Sequence, residues 1–217
     1  MFTTRLISGI VLVILALFVV SAGGSILFGV VGMISLVGLF ELYRVMKIEK
    51  TPLGFIGYGA CISYYGLLWF DGQQFVTLMA IAALMLLMSF YVFTFPKYKT
   101  EEITVVFFGV FYVAVMLSYL YQVRQMADGA YLVWLIFLSS WGCDTCAYCF
   151  GMLFGKHKLA PVLSPKKSIE GAVGGVAGAA VLGFLYALVF RDQMLEVGNP
   201  RTVCAVACAI AAVISQV

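Results

Sequence analysis

Eight apolar runs, each close to the length of a membrane crossing, take up most of the chain and leave only short polar connections. They cover 6–22, 25–43, 53–70, 75–95, 103–121, 130–152, 169–190 and about 202 to the end. A helix needs about 20 apolar residues to cross the hydrocarbon core, and in lipid a backbone must satisfy its own polar groups. Composition decides that these runs are spans and not the core of a soluble domain. The chain is 64% hydrophobic and 11% charged, with a mean hydropathy of +1.08, where a soluble domain carries roughly 25% charged residues. The expected fold is all-α: a polytopic transmembrane helical bundle of about eight spans, forming a single integral membrane domain over 1–217.

Gly23-Gly24, Thr51-Pro52, Asp71-Gly72 and Phe95-Pro96 punctuate the connections, as turn-forming residues do. With the N-terminus in the cytoplasm, ten of the lysines and arginines fall on that side. They are Arg5, Arg44, Lys47, Lys50, Lys97, Lys99, Lys156, Lys158, Lys166 and Lys167. Only Arg124, Arg191 and Arg201 fall on the other. The positive-inside rule therefore places the N-terminus and a Lys-rich loop, 155–168, in the cytoplasm. The apolar start followed by Ser21-Ala22-Gly23 has some features of a cleaved signal peptide, but its length and the spans that follow favour a first transmembrane helix. A net charge of +3 gives no footprint for nucleic acid; lipid headgroups are the expected contact of the juxtamembrane lysines.

Several residues receive plain structural readings. Glu41, Arg44, Lys47 and Glu49 share a solvated helix face. Tyr64, Tyr65, Trp69, Tyr119 and Tyr121 lie near span ends and are read as interfacial rings. Cys143, Cys146 and Cys149 have a C-x2-C-x2-C spacing, but they sit inside one apolar helical run without the further cysteine and proline of an iron–sulfur motif. They read as packing residues.

Asp144 is different. It is the one ionisable residue well inside a span, roughly 12 Å from the predicted cytoplasmic end at 1.5 Å per residue. Such a carboxylate costs about 2.5–3.5 kcal/mol near the bilayer centre, so it should face protein or a water-filled cavity. Helical spacing puts Asp144, Tyr148, Gly151 and Gly155 near one face, with Thr145 beside it. The competing reading is a structural aspartate hydrogen-bonded to a neighbouring helix.

The loop that follows holds Lys156, His157, Lys158, Ser164, Lys166, Lys167 and Ser168, and Glu170 comes directly after it. Pro165 suits the approach to a helix, and Ser164 or Ser168 its N-cap. The N–H groups at that helix start would then point toward the lysines, a phosphate-binding arrangement. Glu170 favours the helix dipole, or positions a lysine or a hydroxyl. His157 reads as a headgroup or phosphate donor. Gly171, Gly174, Gly175 and Gly178 form small-xxx-small pairs that suit close helix packing, and Gly171 suits close approach by a ligand as well.

At these residues the chain resembles the phosphatidate cytidylyltransferases, or CDP-diacylglycerol synthases. The matching pieces are Asp144-Thr145-x-Ala147-Tyr148-x-x-Gly151, then Phe154-Gly155-Lys156-His157-Lys158-Leu159-Ala160-Pro161, then Ser164-Pro165-Lys166-Lys167-Ser168-x-Glu170-Gly171. The resemblance implies transfer of a cytidylyl group from CTP to phosphatidate with release of pyrophosphate, Mg²⁺ as cofactor, and a bacterial inner (plasma) membrane. A homodimer is compatible with it. Carried over by position, it makes Asp144 and Lys167 catalytic candidates, with Asp144 also a candidate metal ligand. Ser164, Lys166, Lys167, Ser168, Glu170, Lys156 and Lys158 become candidates for substrate binding.

The family's C-terminal signature, which carries Gly-Asp, Lys-Arg and His-Gly-Gly elements, is not found in these 217 residues. The expectation is therefore a fragment of the enzyme, inactive by itself, with the main metal ligands beyond Val217. Two other functions are compatible with the residues. One is a transporter or channel using Asp144 as an ion site; the other is a CTP-dependent lipid or polyprenol kinase.

Overall fold

The computed structural model describes residues 2–161 and 164–216. Helices dominate. In chain order they are α1 (Phe2–Ala22), α2 (Gly24–Val45), α3 (Pro52–Trp69), α4 (Val76–Thr94), α5 (Thr100–Gly109), α6 (Met116–Arg124), α7 (Gly129–Leu132), α8 (Trp134–Phe154), α9 (Ile169–Phe190) and α10 (Pro200–Gln216). A π-helical turn, Val110–Val115, joins α5 to α6. Among the described residues, five helical stretches are long and apolar enough to cross a membrane: Gly24–Val45, Gln73–Thr94, Thr100–Arg124, Gly129–Phe154 and Ile169–Gln193.

The other three predicted spans also fold as helices. Gly9–Ala22, within α1, and Pro200–Gln216 are shorter apolar helices among the described residues. α3 is diluted by Pro52, four glycines and three tyrosines.

Contacts divide the chain into two compact units, Met1–Gln122 and Val123–Val217. In the first, Thr51 caps α3 by accepting from the Gly54 amide, with Pro52 in the opening turn. Gly23 and Gly24 take positive φ at the turn from α1 to α2, where a side chain would be strained. The expectation of interfacial rings fails for Tyr64 and Tyr65. Both are buried, at 3% and 7% exposure. Their hydroxyls lie 2.8 Å from Ser118 Oγ and 2.7 Å from Ser35 Oγ. Each serine sits on a facing helix, so each tyrosine and its serine satisfy one another's polar groups inside the bundle. Arg44 pairs with Glu41 at 3.3 Å across i,i+3, on an exposed face.

The second unit is built on α8, α9 and α10. Glycines on α9 let the helices close. A Cβ on Gly174 would strike the Phe150 ring, one on Gly178 would strike Cys146, and one on Gly175 would lie 2.9 Å from the Ala147 Cβ. Further along α9, Gly183 leaves room for Cys204 and Cys208 of α10. Cys143, Cys204 and Cys208 are buried, in keeping with packing roles, whereas Cys149 is exposed.

The Lys-rich segment is not an irregular loop. It folds into a two-stranded antiparallel hairpin, β1 (Lys158–Ala160) and β2 (Ser164–Ser168), with Lys158 opposite Ser168 and Ala160 opposite Ser164. Pro165 therefore belongs to a strand and not to a helical first turn.

Candidate active site

The second unit encloses a cavity of about 400 Å³. α8 contributes Asp144, Ala147, Tyr148, Gly151 and Met152 to its wall. The hairpin contributes Leu159, Lys167 and Ser168; α9 contributes Gly171 and Ala172; α10 contributes Ser215 and Gln216. Asp144, Tyr148 and Gly151 share the α8 face expected from their spacing. Asp144 is exposed to this space and has no hydrogen-bond or ion-pair partner among the described residues. The reading of a structural aspartate tied to a neighbouring helix finds no such bond here. Thr145 turns away: its Oγ1 donates to the Trp141 carbonyl at 2.8 Å, within its own helix.

Ser168 caps α9, accepting from the Gly171 amide at 3.1 Å. Its hydroxyl occupies a niche cleared by three glycines. A Cβ built on Gly151, Gly155 or Gly171 would lie 3.1, 2.8 or 2.9 Å from Ser168 Oγ. A Cβ on Gly171 would also meet the Ala147 carbonyl at 2.8 Å. The glycines flanking the two motifs therefore do one job: they let α8 and the start of α9 approach around a single hydroxyl.

The helix start departs from the phosphate-binding arrangement read from sequence. Two first-turn N–H groups already have acceptors inside the protein. Ile169 N–H donates to the His157 carbonyl at 2.9 Å, and Gly171 N–H donates to Ser168. Among the described residues Glu170 holds no lysine side chain or hydroxyl. Its carboxylate accepts from the backbone N–H groups of Lys156, at 3.1 Å, and His157, at 3.2 Å, and lies 2.7 Å from His157 Nδ1. It clamps the entry of the hairpin onto α9.

Among the described residues Lys167 is the cation that reaches the cavity wall, and its Nζ donates to the Gln216 carbonyl at 3.1 Å. Lys156, Lys158, Ser164 and Glu170 are not on the cavity wall. The Lys166 side chain lies outside the described residues. Sequence reasoning missed Ser215 and Gln216; the signal available was a polar pair closing an otherwise apolar helix. Gln216 Nε2 also donates to the Ala172 carbonyl at 3.1 Å, joining α10 to α9 at this end.

A carboxylate, an ammonium group and a capping serine around one cavity suit a phosphorylated ligand. Residues 3–217 match the cytidylyltransferase family. The chain belongs to that family. It is 30% identical over 198 residues to a protein from Staphylococcus saprophyticus named phosphatidate cytidylyltransferase, covering 87% of this chain and 72% of the relative. Relatives of the same name from Staphylococcus aureus and Staphylococcus haemolyticus are 29% and 30% identical. Those alignments cover 86% and 89% of this cytidylyltransferase-family chain and 73% and 74% of the relatives.

Proposed function

We propose that the protein transfers a cytidylyl group from CTP to phosphatidate, giving CDP-diacylglycerol and pyrophosphate. Family membership and the name shared by its relatives support the reaction. The observation that carries the site is the convergence of Asp144, from α8, with Lys167 and Ser168, from β2, on one cavity. A phosphate oxygen of the lipid attacks the α-phosphorus of CTP. The bond from that phosphorus to the β-phosphate bridge breaks, and pyrophosphate leaves with the electron pair. Catalysis of such a step is mostly positioning and electrostatic stabilisation. Lys167 places an ammonium group where charge accumulates, and the Ser168 hydroxyl keeps a proton to donate while its oxygen caps α9. Glu170 acts through the hairpin backbone, holding the segment that carries Lys167.

The donor set suits Mg²⁺ brought in on nucleotide phosphates. Among the described residues no three His, Cys, Asp or Glu side chains converge, and the carboxylate on this wall is that of Asp144. Mg²⁺ keeps several waters and takes one or two carboxylates plus substrate phosphates, a requirement that the open Asp144 carboxylate meets. When bound, the ion would neutralise phosphate charge.

We read eight crossings of a bacterial inner (plasma) membrane; the lysine and arginine distribution supports an orientation with the N-terminus and the hairpin in the cytoplasm, where CTP is found. The test is to supply the reconstituted protein, in the longest form that its gene encodes, with CTP labelled in cytosine or in the γ-phosphate. Cytosine label should enter lipid, with one pyrophosphate released per product. Label from the γ-phosphate in lipid would show a kinase instead, and label in neither would sink the reading.

A further inference from the structure

Tyr148 stands on the cavity wall one helical turn after Asp144, on the same face of α8. It is 70% exposed, and it has neither a hydrogen-bond nor a ring partner among the described residues. The other aromatic side chains of α8 are all paired along their own helix. Trp134 lies 5.8 Å from Phe137 between ring centroids, Phe137 lies 5.2 Å from Trp141, and Phe150 lies 5.9 Å from Phe154. Tyr148 is also the one aromatic ring among the described residues of the wall. Met152, a further turn along the same face, and Leu159, on β1, continue the wall with apolar side chains. Beside the groups that suit phosphate and its cation, the cavity therefore offers an aromatic face left open.

We propose that Tyr148 stacks on the pyrimidine ring of the nucleotide and seats the base while Lys167 and Ser168 receive its phosphates. The proposal rests on the cytidylyltransferase reading. It supplies a complement for the part of CTP that the polar groups leave without one, a flat uncharged ring with a π face. Phosphate contacts alone hold one end of the nucleotide and let the nucleoside swing. A stacked base fixes the other end, and the α-phosphorus then returns to one position, the kind of orientation from which rate is gained. Stacking tolerates any base, because every base has a π face. Tyr148 therefore adds affinity without choosing cytosine. The phenol hydroxyl takes no part in stacking, which separates this role from one in which the hydroxyl donates to a phosphate.

The test titrates the reconstituted protein, in the longest form that its gene encodes, with CTP and with inorganic tripolyphosphate, each with Mg²⁺. Tripolyphosphate has the phosphates and no base. Tyr148→Leu, which keeps apolar bulk and removes the π face, should weaken CTP by about five- to 150-fold and leave tripolyphosphate as in wild type. Tyr148→Phe and Tyr148→Trp should bind CTP as wild type does. Because the residue is exposed, these changes leave the packing of α8 against α9 in place, and retained tripolyphosphate binding reports an intact phosphate site. Wild-type affinity for CTP in the leucine variant would overturn the proposal. So would a phenylalanine variant as weak as the leucine one, or tripolyphosphate weakened in step with CTP. CTP binding that depends on the Tyr148 ring, without transfer of cytosine to lipid, would instead sink the catalytic reading and leave the stacking site standing.

Discussion

The Glu170 carboxylate lies 2.7 Å from His157 Nδ1 and accepts from the His157 backbone N–H as well, so one acidic side chain grips both parts of one residue. With the Lys156 amide added, the clamp sets where the hairpin leaves α8 and therefore where Lys167 returns. Glu170→Ala should raise the KM for CTP about tenfold, since charge-assisted bonds are the stronger kind, with a smaller change in kcat. Amide exchange at Lys156 and His157 should quicken in parallel. Unchanged exchange would show that the clamp is not what orders the hairpin.

Among the described residues Lys167 is the cation at the cavity. Lys167→Ala should cost about tenfold or more in kcat/KM for CTP, the scale on which oriented donors act on developing charge. Lys167→Arg should recover part of it, because charge is kept while the reach and shape of the donor change. Wild-type kinetics in the alanine variant would remove Lys167 from the site.

Asp144→Asn separates catalysis from stability. Transfer should fall by about a hundredfold or more, while the thermal midpoint in detergent stays level or rises, because an intramembrane charge without a protein partner is removed. A lowered midpoint with activity intact would assign Asp144 a structural role.

Gly175→Ala places a methyl group 2.9 Å from the Ala147 Cβ and 3.0 Å from the Cys143 carbonyl. Overpacking of this kind costs about 1–3 kcal/mol, and thermal unfolding should report it. In the first unit, Tyr65→Phe leaves Ser35 without its partner. It should destabilise by about 0.6–2 kcal/mol, leaving the CTP dependence of the remaining folded enzyme as in wild type.

Much of this was legible in the chain, for physical reasons that differ from residue to residue. Ser168 followed by an apolar, glycine-spaced run marked the start of α9, because capping and helix packing both leave local signals. Asp144 stood out because charge is rare in lipid. The hairpin did not stand out: β1 is three residues long, and β2 is Ser-Pro-Lys-Lys-Ser, with no apolar alternation to betray a strand. Tyr64 and Tyr65 were misplaced because a ring with a hydroxyl suits a membrane interface and a buried serine equally well. Only the facing helices, bearing Ser118 and Ser35, choose between the two. The Glu170 clamp was invisible for a similar reason, since two of its partners are backbone amides that any residue supplies.

The bond between Lys167 and the Gln216 carbonyl sets one more condition on how the cavity fills. An ammonium group has three donors, so Lys167 can keep that carbonyl and still reach an incoming phosphate. The Gln216 carbonyl then shares a proton donor with the ligand. Whatever draws the ammonium inward also loosens or tightens its hold on Gln216. The arrival of nucleotide should be felt at Ser215 and Gln216, and a fluorophore or isotope label there would act as an occupancy gauge for the site.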